Sequence, residues 1–286
     1  MGKAPHPPAA PGVDTGADRL PAYAGVLSAF HRAFRKELRR MVAGLPLPAG
    51  GRVLDVPCGD GFFTACLARE LYPFGTVVAA DLSPAFLRLA ARVVGRSTKA
   101  VGVEFVRADA HHLPFDDESF DLVWCAQSLI TFDEPADALR ELRRVVRPGG
   151  HVAVVESDEF HHVLVNWPVG IELAVQRAVA AGCRARYGNP AKYSPARTAR
   201  RTLREAGLKP VAKKTYTADR QAPFDPATAT FLKKHFAQTR AFVADHLSAE
   251  TLRAFDRFIA AEGEDSIFRR TDSEVTCLNT LFLARR

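Results

Sequence analysis

Short apolar runs alternate with stretches of helical spacing along most of this chain. The runs at 52–56, 76–80, 101–107, 120–125 and 151–156 have the length and composition of buried strands. Between them, apolar residues three and four apart predict helices at 61–71, 86–93 and 135–147. This alternation predicts an α/β fold, and the 286 residues are enough for one large domain of that class.

The remaining segments are expected to surround a core at 51–156. Residues 21–44 are predicted as one N-terminal helix that caps this core. Two insertions, 157–193 and 223–268, follow the core, and the second carries Phe and Leu residues at helical spacing. Long insertions beside a site are often lids, so we expect a helical lid over a substrate pocket, a helical pair packed for stability, or both.

The stretch from Val53 to Phe63 organises the rest of the chain. A strand ending at Asp55 runs into a turn with Gly59 and Gly61, and a helix follows. Strand, glycine turn and helix form the nucleotide-binding opening of an α/β sheet, where glycines let a ligand approach the backbone. A dinucleotide fold needs G-x-G-x-x-G, and Thr64 stands at the third glycine, which weakens that interpretation. The carboxylate of Asp55 would repel a pyrophosphate but suits an ammonium group.

This stretch resembles the first motif, D-x-G-x-G-x-G, of class I methyltransferases that use S-adenosyl-L-methionine. Asp55, Gly59 and Gly61 match the motif, whereas Pro57 stands where the first glycine usually is. The resemblance implies that these three residues surround the methionine part of the cofactor. Cys58, in the same turn, is also expected to bind the cofactor.

Two further carboxylates follow strand ends. Asp81 lies 26 positions after Asp55, close to the spacing of the ribose-binding acid in nucleotide folds. Ser83 is the better helix N-cap there, which leaves Asp81 for the ribose hydroxyls. In the methyltransferase family an Asp at the position of Asp109 binds the adenine amino group. The resemblance therefore implies an adenine site at Asp109, with apolar walls from Leu82 and Ala110.

The second half of the core, residues 120–156, also resembles this family. F-D-L-V at 120–123 and the run 139–156 closely resemble the ubiquinone/menaquinone-type branch of these methyltransferases. The family fold is Rossmann-like, with a seven-stranded, mostly parallel sheet whose last strand, here 274–284, runs antiparallel beside the fifth. Gln127, at the carboxyl end of the fourth strand, is expected to face the ligand crevice.

The catalytic residues are harder to place, because methyl transfer from a sulfonium mainly requires positioning and exclusion of water. A hydroxyl or amine acceptor also needs a base. Four base candidates follow the fifth strand: Asp158, Glu159, His161 and His162. His161 and His162 are the chosen pair, since a histidine titrates near neutrality. A purely structural role of the pair stays open, and Asp158 and Glu159 lie beside them. A second set in the first insertion suits an anionic or phenolic substrate: Arg184, Arg186 and Tyr187.

Composition and charge bear on whether the protein binds nucleic acid, a metal or a membrane. The net charge of +7 indicates either solvated basic helix faces or a nucleic-acid partner, and we expect the first because the basic residues follow helix faces. The five cysteines show no zinc-ligand spacing, so we expect reduced thiols and no metal. Residues 1–20, rich in Pro, Ala and Gly, are expected to be a disordered tail. No apolar run has transmembrane or signal-peptide character, so we expect a cytoplasmic protein without a membrane partner.

We therefore expect an S-adenosylmethionine-dependent methyltransferase that acts on a small molecule, with O-methylation favoured over C- or N-methylation. An RNA methyltransferase, motivated by the basic charge, is the alternative within enzymes. A non-catalytic relative that binds only the cofactor or a partner is the second alternative, because Pro57 departs from the first motif.

Overall fold

A computed structural model describes residues 18–96, 102–158, 160–188 and 194–286, which form one mixed sheet flanked by helices. The strands of this part of the chain are β1 (Arg52–Asp55), β2 (Thr76–Asp81), β3 (Val103–Arg107), β4 (Phe120–Ala126), β5 (Val146–Glu156), β6 (Val163–Val165), β7 (Lys209–Gln221) and β8 (Glu274–Arg285). Their order is β3-β2-β1-β4-β5-β8-β6, and β7 pairs with the opposite edge of β8.

The helices lie on both faces of this sheet. They are α1 (Ala24–Ala33), α2 (Arg35–Ala43), α3 (Phe62–Leu71), α4 (Pro84–Val94), α5 (Pro135–Val145), α6 (Val169–Tyr187), α7 (Ala199–Glu205), α8 (Pro226–Val243) and α9 (Ala249–Ile259), with short 3-10 helices at Pro195–Arg197 and Ala244–His246. Residues of α1, α2, α3, α8 and α9 share one apolar cluster with one sheet face. Residues of α5 and α7 cover the other face. The cap helices and the second insertion therefore lie on the same side of the sheet.

The five strands β1 to β5 pair in parallel, and β8 runs antiparallel to β5 from His151↔Arg285 to Glu156↔Thr280. Parallel strands covered on both faces are apolar almost throughout, and β2 is fully buried from Val77 to Asp81. The expected Rossmann-like class, mostly parallel with an antiparallel last strand, is confirmed.

One additional strand distinguishes the sheet from the expected seven-stranded form. β8 has 12 residues, but β5 pairs only with its second half, from Thr280 to Arg285. On the edge of β8 that faces β5, the first half of β8 would therefore be left with a row of unpaired backbone groups. Proteins generally cover such an edge. Val163 to Val165 pair there with Val275 to Cys277. The short β6 of the first insertion thus completes the edge.

The prediction of a single cap helix is wrong in one respect. The helix is interrupted at Phe34, so that α1 and α2 are separate. The guanidinium of Arg220 on β7 lies over the Phe34 ring at 5.1 Å and donates to the carbonyl of Ala33 at 3.0 Å. It also pairs with Glu37. Because Arg220 takes a carbonyl that a continuous helix would use internally, the chain turns at this point.

The boundary between α5 and β5 also differs from the prediction, which continued the helix to residue 147. Val146 is already extended and pairs with Phe120, so β5 begins five residues earlier than expected. Arg286 donates to the Val146 carbonyl and so holds the chain out of the helix. Residues 1–17, most of the predicted tail, and Glu159 lie outside the described residues. None of the described helices is long and apolar enough to cross a bilayer.

Candidate functional site

The turn after β1 is fixed by contacts to β2 and α4. The amide of Cys58 donates to the Ala80 carbonyl at 2.8 Å, while Gly59 and Gly61 adopt left-handed φ values of +52° and +80°. A Cβ on Gly61 would lie 2.5 Å from the Cα of Ala90 in α4. Gly61 is therefore required both by its φ and by the close packing of the turn on α4.

Asp55 lies beneath this turn and is 1% exposed. The Thr64 hydroxyl donates to its Oδ2 at 2.5 Å. Burial raises the pKa of Asp55 to about 8, with the charges of Asp81 and Asp60 acting in the same direction against the Thr64 hydrogen bond. Thr64, where a dinucleotide fold has a glycine, is thus the partner of a buried carboxyl group. The expected contact between Asp55 and the methionine part stays a prediction.

Asp81 joins the end of β2 to the glycine turn. Its Oδ2 accepts the Gly59 amide at 3.0 Å and its Oδ1 accepts the Ser83 amide at 2.8 Å. Burial raises the pKa of Asp81, and the two amide hydrogen bonds partly offset this. Ser83 caps α4, as predicted, by accepting the Phe86 amide at 3.3 Å. A carboxylate oxygen offers about two acceptor positions, so each oxygen of Asp81 retains one for a ribose hydroxyl.

Asp109 lies at the rim of the site, after β3. Its Oδ1 accepts the His111 amide at 2.9 Å and faces His111 Nδ1 at 3.0 Å. Burial alone would raise the pKa of Asp109, but these hydrogen bonds and the charges of His111 and His112 hold it below the ordinary value. Its Oδ2 has no partner within the described residues, so an acceptor remains for an amino group. The His111 ring packs edge-on against Phe132 at 5.4 Å, which places an aromatic wall beside it.

Helix α1 covers the glycine turn. The Leu27 side chain would lie 3.6 Å from a Cβ at Gly59. The Tyr23 ring lies 6.1 Å from that of Phe86, and burial followed by the charge of Asp81 raises the pKa of Tyr23 to about 12. The inner side of α1 therefore lies against the residues expected to hold the cofactor.

A buried histidine–carboxylate pair fixes this cap to the turn. His31 Nδ1 lies 2.9 Å from Asp60 Oδ1, and Asp60 also accepts the Ser28 hydroxyl at 2.9 Å and the Phe62 amide at 3.1 Å. Burial raises the pKa of Asp60, but His31, Ser28 and Phe62 outweigh it and hold the pKa below its ordinary value. Nε2 of His31 is enclosed without a partner in the described part of the chain. Sequence reasoning missed this pair, because 29 positions separate its members.

A second group of polar residues lies past the carboxyl ends of β4 and β5. The Gln127 side-chain amide reaches Asn279 Oδ1 at 3.5 Å. The neighbouring Leu278 carbonyl lies 3.2 Å from His162 Nδ1. A carbonyl only accepts, so Nδ1 carries the proton and Nε2 of His162 is left as an acceptor. Burial lowers the pKa of His162, and the Leu278 contact partly offsets this.

Aromatic side chains connect this group to α1 and α8. Phe30 lies 5.1 Å from the His162 ring and 5.5 Å from Phe231, which lies 5.6 Å from His235. His162 and His235 are both part-buried. We call this set the histidine recess; it consists of Phe30, Gln127, His162, Phe231, His235 and Asn279. Since Phe30 precedes His31, the recess adjoins the cofactor turn through one helix.

Comparison with known proteins gives the family. A family described as a methyltransferase domain matches residues 54–154, the part of the chain that carries the turn, Asp81 and Asp109. The chain contains a class I S-adenosylmethionine-dependent methyltransferase domain. Its cofactor is S-adenosylmethionine.

Curated relatives match less than half of the chain. A demethylmenaquinone methyltransferase of Lactiplantibacillus plantarum is 37% identical over 136 residues, which cover 48% of this chain and 56% of the relative. A ubiquinone/menaquinone biosynthesis C-methyltransferase, UbiE, of Hahella chejuensis is 40% identical over 118 residues, 41% of this chain and 47% of the relative. The chain spans about half the length of the curated relatives it matches.

A solved structure supports the fold. A SAM-dependent methyltransferase from Aquifex aeolicus aligns with a TM-score of 0.51 at 22% identity, covering 66% of this chain and 90% of that one. At this identity the likeness concerns the fold, and the residues of the site are argued from their own geometry.

The residues of the methyltransferase domain fit its cofactor. Asp81 presents free acceptor positions for the ribose, and Asp109 Oδ2 is free for the adenine amino group. Leu82 directly follows Asp81 in the chain, and the buried Ala110 directly follows Asp109. The left-handed Gly59 brings the backbone of the turn to the same edge of the sheet. The individual contacts of these residues with the cofactor stay predictions.

Gln127 occupies a strained position in the domain. It has a φ of +54°, uncommon for a residue with a side chain, and its amide donates to the Val155 carbonyl at 2.7 Å. Glu156, 2% exposed, accepts the amides of Ser128 and Leu129 at 2.9 and 2.8 Å and so fixes the loop that follows. Strained backbone of this kind persists where surrounding contacts over-determine it and often marks a functional site.

The other predicted residues lie further out. His161 is exposed and faces Asp158 at 3.3 Å, and Asp158 is also bound by Arg197. Arg184 and Arg186 are exposed near the end of α6, and the Arg186 guanidinium lies over Tyr187 at 5.6 Å. The structure thus separates the two adjacent histidines, with His162 in the recess and His161 at the surface. Their catalytic roles stay predictions.

Proposed function

We propose that this chain transfers a methyl group from S-adenosylmethionine to a small, mainly apolar acceptor held in the histidine recess. The supporting observation is the continuous path from the cofactor turn to the recess: Asp60 contacts His31, and the adjoining Phe30 packs on His162. Reacting groups held on one rigid unit need little reorganisation before they meet. The recess combines aromatic walls with a few polar atoms, as small-molecule sites do.

His162 is the proposed base. Its Nδ1 proton is held by the Leu278 carbonyl, so Nε2 accepts the proton of an acceptor hydroxyl. The electron pair of the broken O–H bond stays on the acceptor and makes it nucleophilic at oxygen and, in an aromatic ring, at carbon. Bound S-adenosylmethionine would supply an electrophilic methyl group on its sulfonium, with a neutral thioether as the leaving group. The Phe30 ring beside His162 would help to exclude water once the acceptor is bound.

Carbon is the proposed methylation site, in place of the oxygen favoured by the sequence analysis. One relative is named a C-methyltransferase and another a demethylmenaquinone methyltransferase. A base that ionises a ring hydroxyl serves C-methylation as well as O-methylation, so the recess suits a hydroxylated ring such as a quinol. In C-methylation the methylated ring carbon then loses its proton to solvent, and the ring oxygen regains a proton from His162, which restores the aromatic diol. The relatives give no support to the RNA alternative.

The test uses purified full-length chain, S-adenosylmethionine and 1,4-naphthalenediol kept reduced. Ring methylation gives 2-methyl-1,4-naphthalenediol and oxygen methylation gives 4-methoxy-1-naphthol, which chromatography with mass spectrometry separates. We expect the ring-methylated product, and we expect calorimetry to show binding of S-adenosylhomocysteine. Absence of both binding and product contradicts the proposed function, whereas the methoxy product alone contradicts C-methylation.

A further inference from the structure

His235 is a polar residue of the recess that no sequence motif indicated. It lies on α8 of the second insertion, with its ring 5.6 Å from those of Phe231 and Phe236. Neither ring nitrogen has a hydrogen-bond partner in the described part of the chain, yet neither is enclosed, in contrast to Nε2 of His31. A part-buried polar atom that has no protein partner and is still accessible has water or a ligand as its hydrogen-bond partner.

His162 offers the same kind of atom from the other side of the recess. Its Nε2 also has no partner among the described residues and is likewise not enclosed. Phe30 and Phe231 connect the two imidazoles, as described above. The insertion helix α8 and the residue that precedes strand β6 therefore each place one imidazole beside the same pair of phenylalanine side chains.

Both imidazoles are neutral in this setting. Burial lowers the pKa of His235 to about 3, and His162 acts in the same direction. The pKa of His162 is lowered as well. A carboxylate or phosphate buried against neutral imidazoles and phenyl rings would lose its hydration without gaining a cation. A hydroxyl group loses less and gains a hydrogen bond from its O–H to an imidazole nitrogen.

We infer that His162 and His235 form a two-point binding site for hydroxyl groups of the methyl acceptor, in which His235 determines specificity. His162 takes the hydroxyl that loses its proton, and His235 holds a second hydroxyl without exchanging a proton. This inference rests on the proposed function and adds to it a residue that selects acceptors by their number of hydroxyl groups.

The test compares two ligands with the same ring, one with two hydroxyl groups and the other with methyl ethers at the same positions. Full-length chain saturated with S-adenosylhomocysteine is titrated with reduced 1,4-naphthalenediol and with 1,4-dimethoxynaphthalene, and the ratio of their affinities is measured. Each hydrogen bond contributes a factor of about 3 to 10, so the diol should bind about 10- to 100-fold more tightly. His235→Phe should reduce this ratio about 3- to 10-fold and leave affinity for the ether nearly unchanged.

Two further variants control the measurement. His246→Phe changes an exposed histidine of the same insertion and should leave the ratio at its wild-type value. His235→Gln retains a hydrogen-bonding side chain and should restore part of the ratio.

The outcomes for the two proposals are separable. Equal binding of diol and ether by the wild type, or a ratio unchanged in His235→Phe, overturns the two-point site even when S-adenosylhomocysteine binds. Failure of S-adenosylhomocysteine to bind in the same samples counts against the proposed function.

Discussion

Nδ1 of His31 lies 2.9 Å from Oδ1 of Asp60, and both side chains are about 6% exposed. Asp60 stands between the two glycines of the cofactor turn, while His31 stands on the cap helix. The hydrogen bond therefore joins two elements that the sequence presents as separate. The His31 ring also stacks on Phe62, the first residue of α3, at 4.7 Å. Cap, turn and first core helix thus meet at one buried point.

The two members of this pair should differ in their contribution to stability. Asp60→Ala removes the acceptor of His31, Ser28 and Phe62. A buried donor left unpaired costs about 1–3 kcal/mol, so the three donors together should cost about 3–9 kcal/mol, in the lower part of that range because two of the hydrogen bonds are only part-buried. His31→Phe preserves the stacking on Phe62 and also removes the unpartnered Nε2. We therefore expect His31→Phe to lower the free energy of unfolding by less than about 2 kcal/mol.

Chemical denaturation measures both values, with Asp116→Ala at an exposed carboxylate as the control. We expect the control to remain within about 0.5 kcal/mol of wild type. If His31→Phe proves as destabilising as Asp60→Ala, the His31 ring has partners other than those described.

Asp81 should determine cofactor affinity through the ribose. Charge-assisted hydrogen bonds are worth about 1.5–3 kcal/mol each, so Asp81→Ala should weaken S-adenosylhomocysteine binding roughly 10- to 1000-fold. Asp81 also accepts the Gly59 amide, so part of this loss could come from the turn itself. A 2′-deoxy analogue of S-adenosylhomocysteine separates the two effects in calorimetry. In Asp81→Asn the difference in affinity between the ligand and its analogue should shrink, and a difference as large as in wild type would place the ribose elsewhere.

The buried Asp55 predicts a specific dependence of stability on pH. Its pKa of about 8 in the folded protein exceeds the ordinary value of about 3.9 in an unfolded chain. Between these pH values the folded state holds a proton that the unfolded state has released, so stability falls as pH rises. Asp55 alone should lower the free energy of unfolding by about 1.4 kcal/mol for each pH unit in this range. The decrease levels off above pH 8.

Denaturation curves between pH 5 and 8 test this contribution. Asp55→Asn cannot titrate, so its stability should fall with pH less steeply than that of wild type. Asp116→Asn, an exposed carboxylate changed in the same way, should follow the wild-type slope. Parallel slopes for wild type and Asp55→Asn would show that Asp55 is ionised throughout this range.

The cofactor half of the site was predictable because its signals are local. Asp55, Gly59 and Gly61 fall within seven residues, and Asp81 and Asp109 each follow a strand. In a parallel sheet, residues after successive strands meet at the same edge, so their positions along the chain already imply proximity.

The recess was not predictable in the same way. Phe30, His162, His235 and Asn279 come from four distant segments, and only packing of the insertion onto α1 brings them together. One weak signal was present: Asn279 interrupts the apolar row Val275, Cys277 and Leu281 of β8. A buried amide in an apolar row needs a partner, and the structure supplies Gln127.

Gly61 allows the packing of the cofactor turn to be measured separately from its backbone conformation. Gly61 and Gly149 share a φ of +80°, but a Cβ would lie 2.5 Å from Ala90 at Gly61 and meets nothing within 4 Å at Gly149. Gly149→Ala should therefore cost only the left-handed penalty, about 1–2 kcal/mol. Gly61→Ala adds overpacking against α4, typically about 1–3 kcal/mol, and should also weaken S-adenosylhomocysteine binding because the turn must shift. Thermal denaturation measures the stability of both variants, and calorimetry measures their binding of S-adenosylhomocysteine. Equal losses of stability in Gly61→Ala and Gly149→Ala would show that α4 moves aside freely.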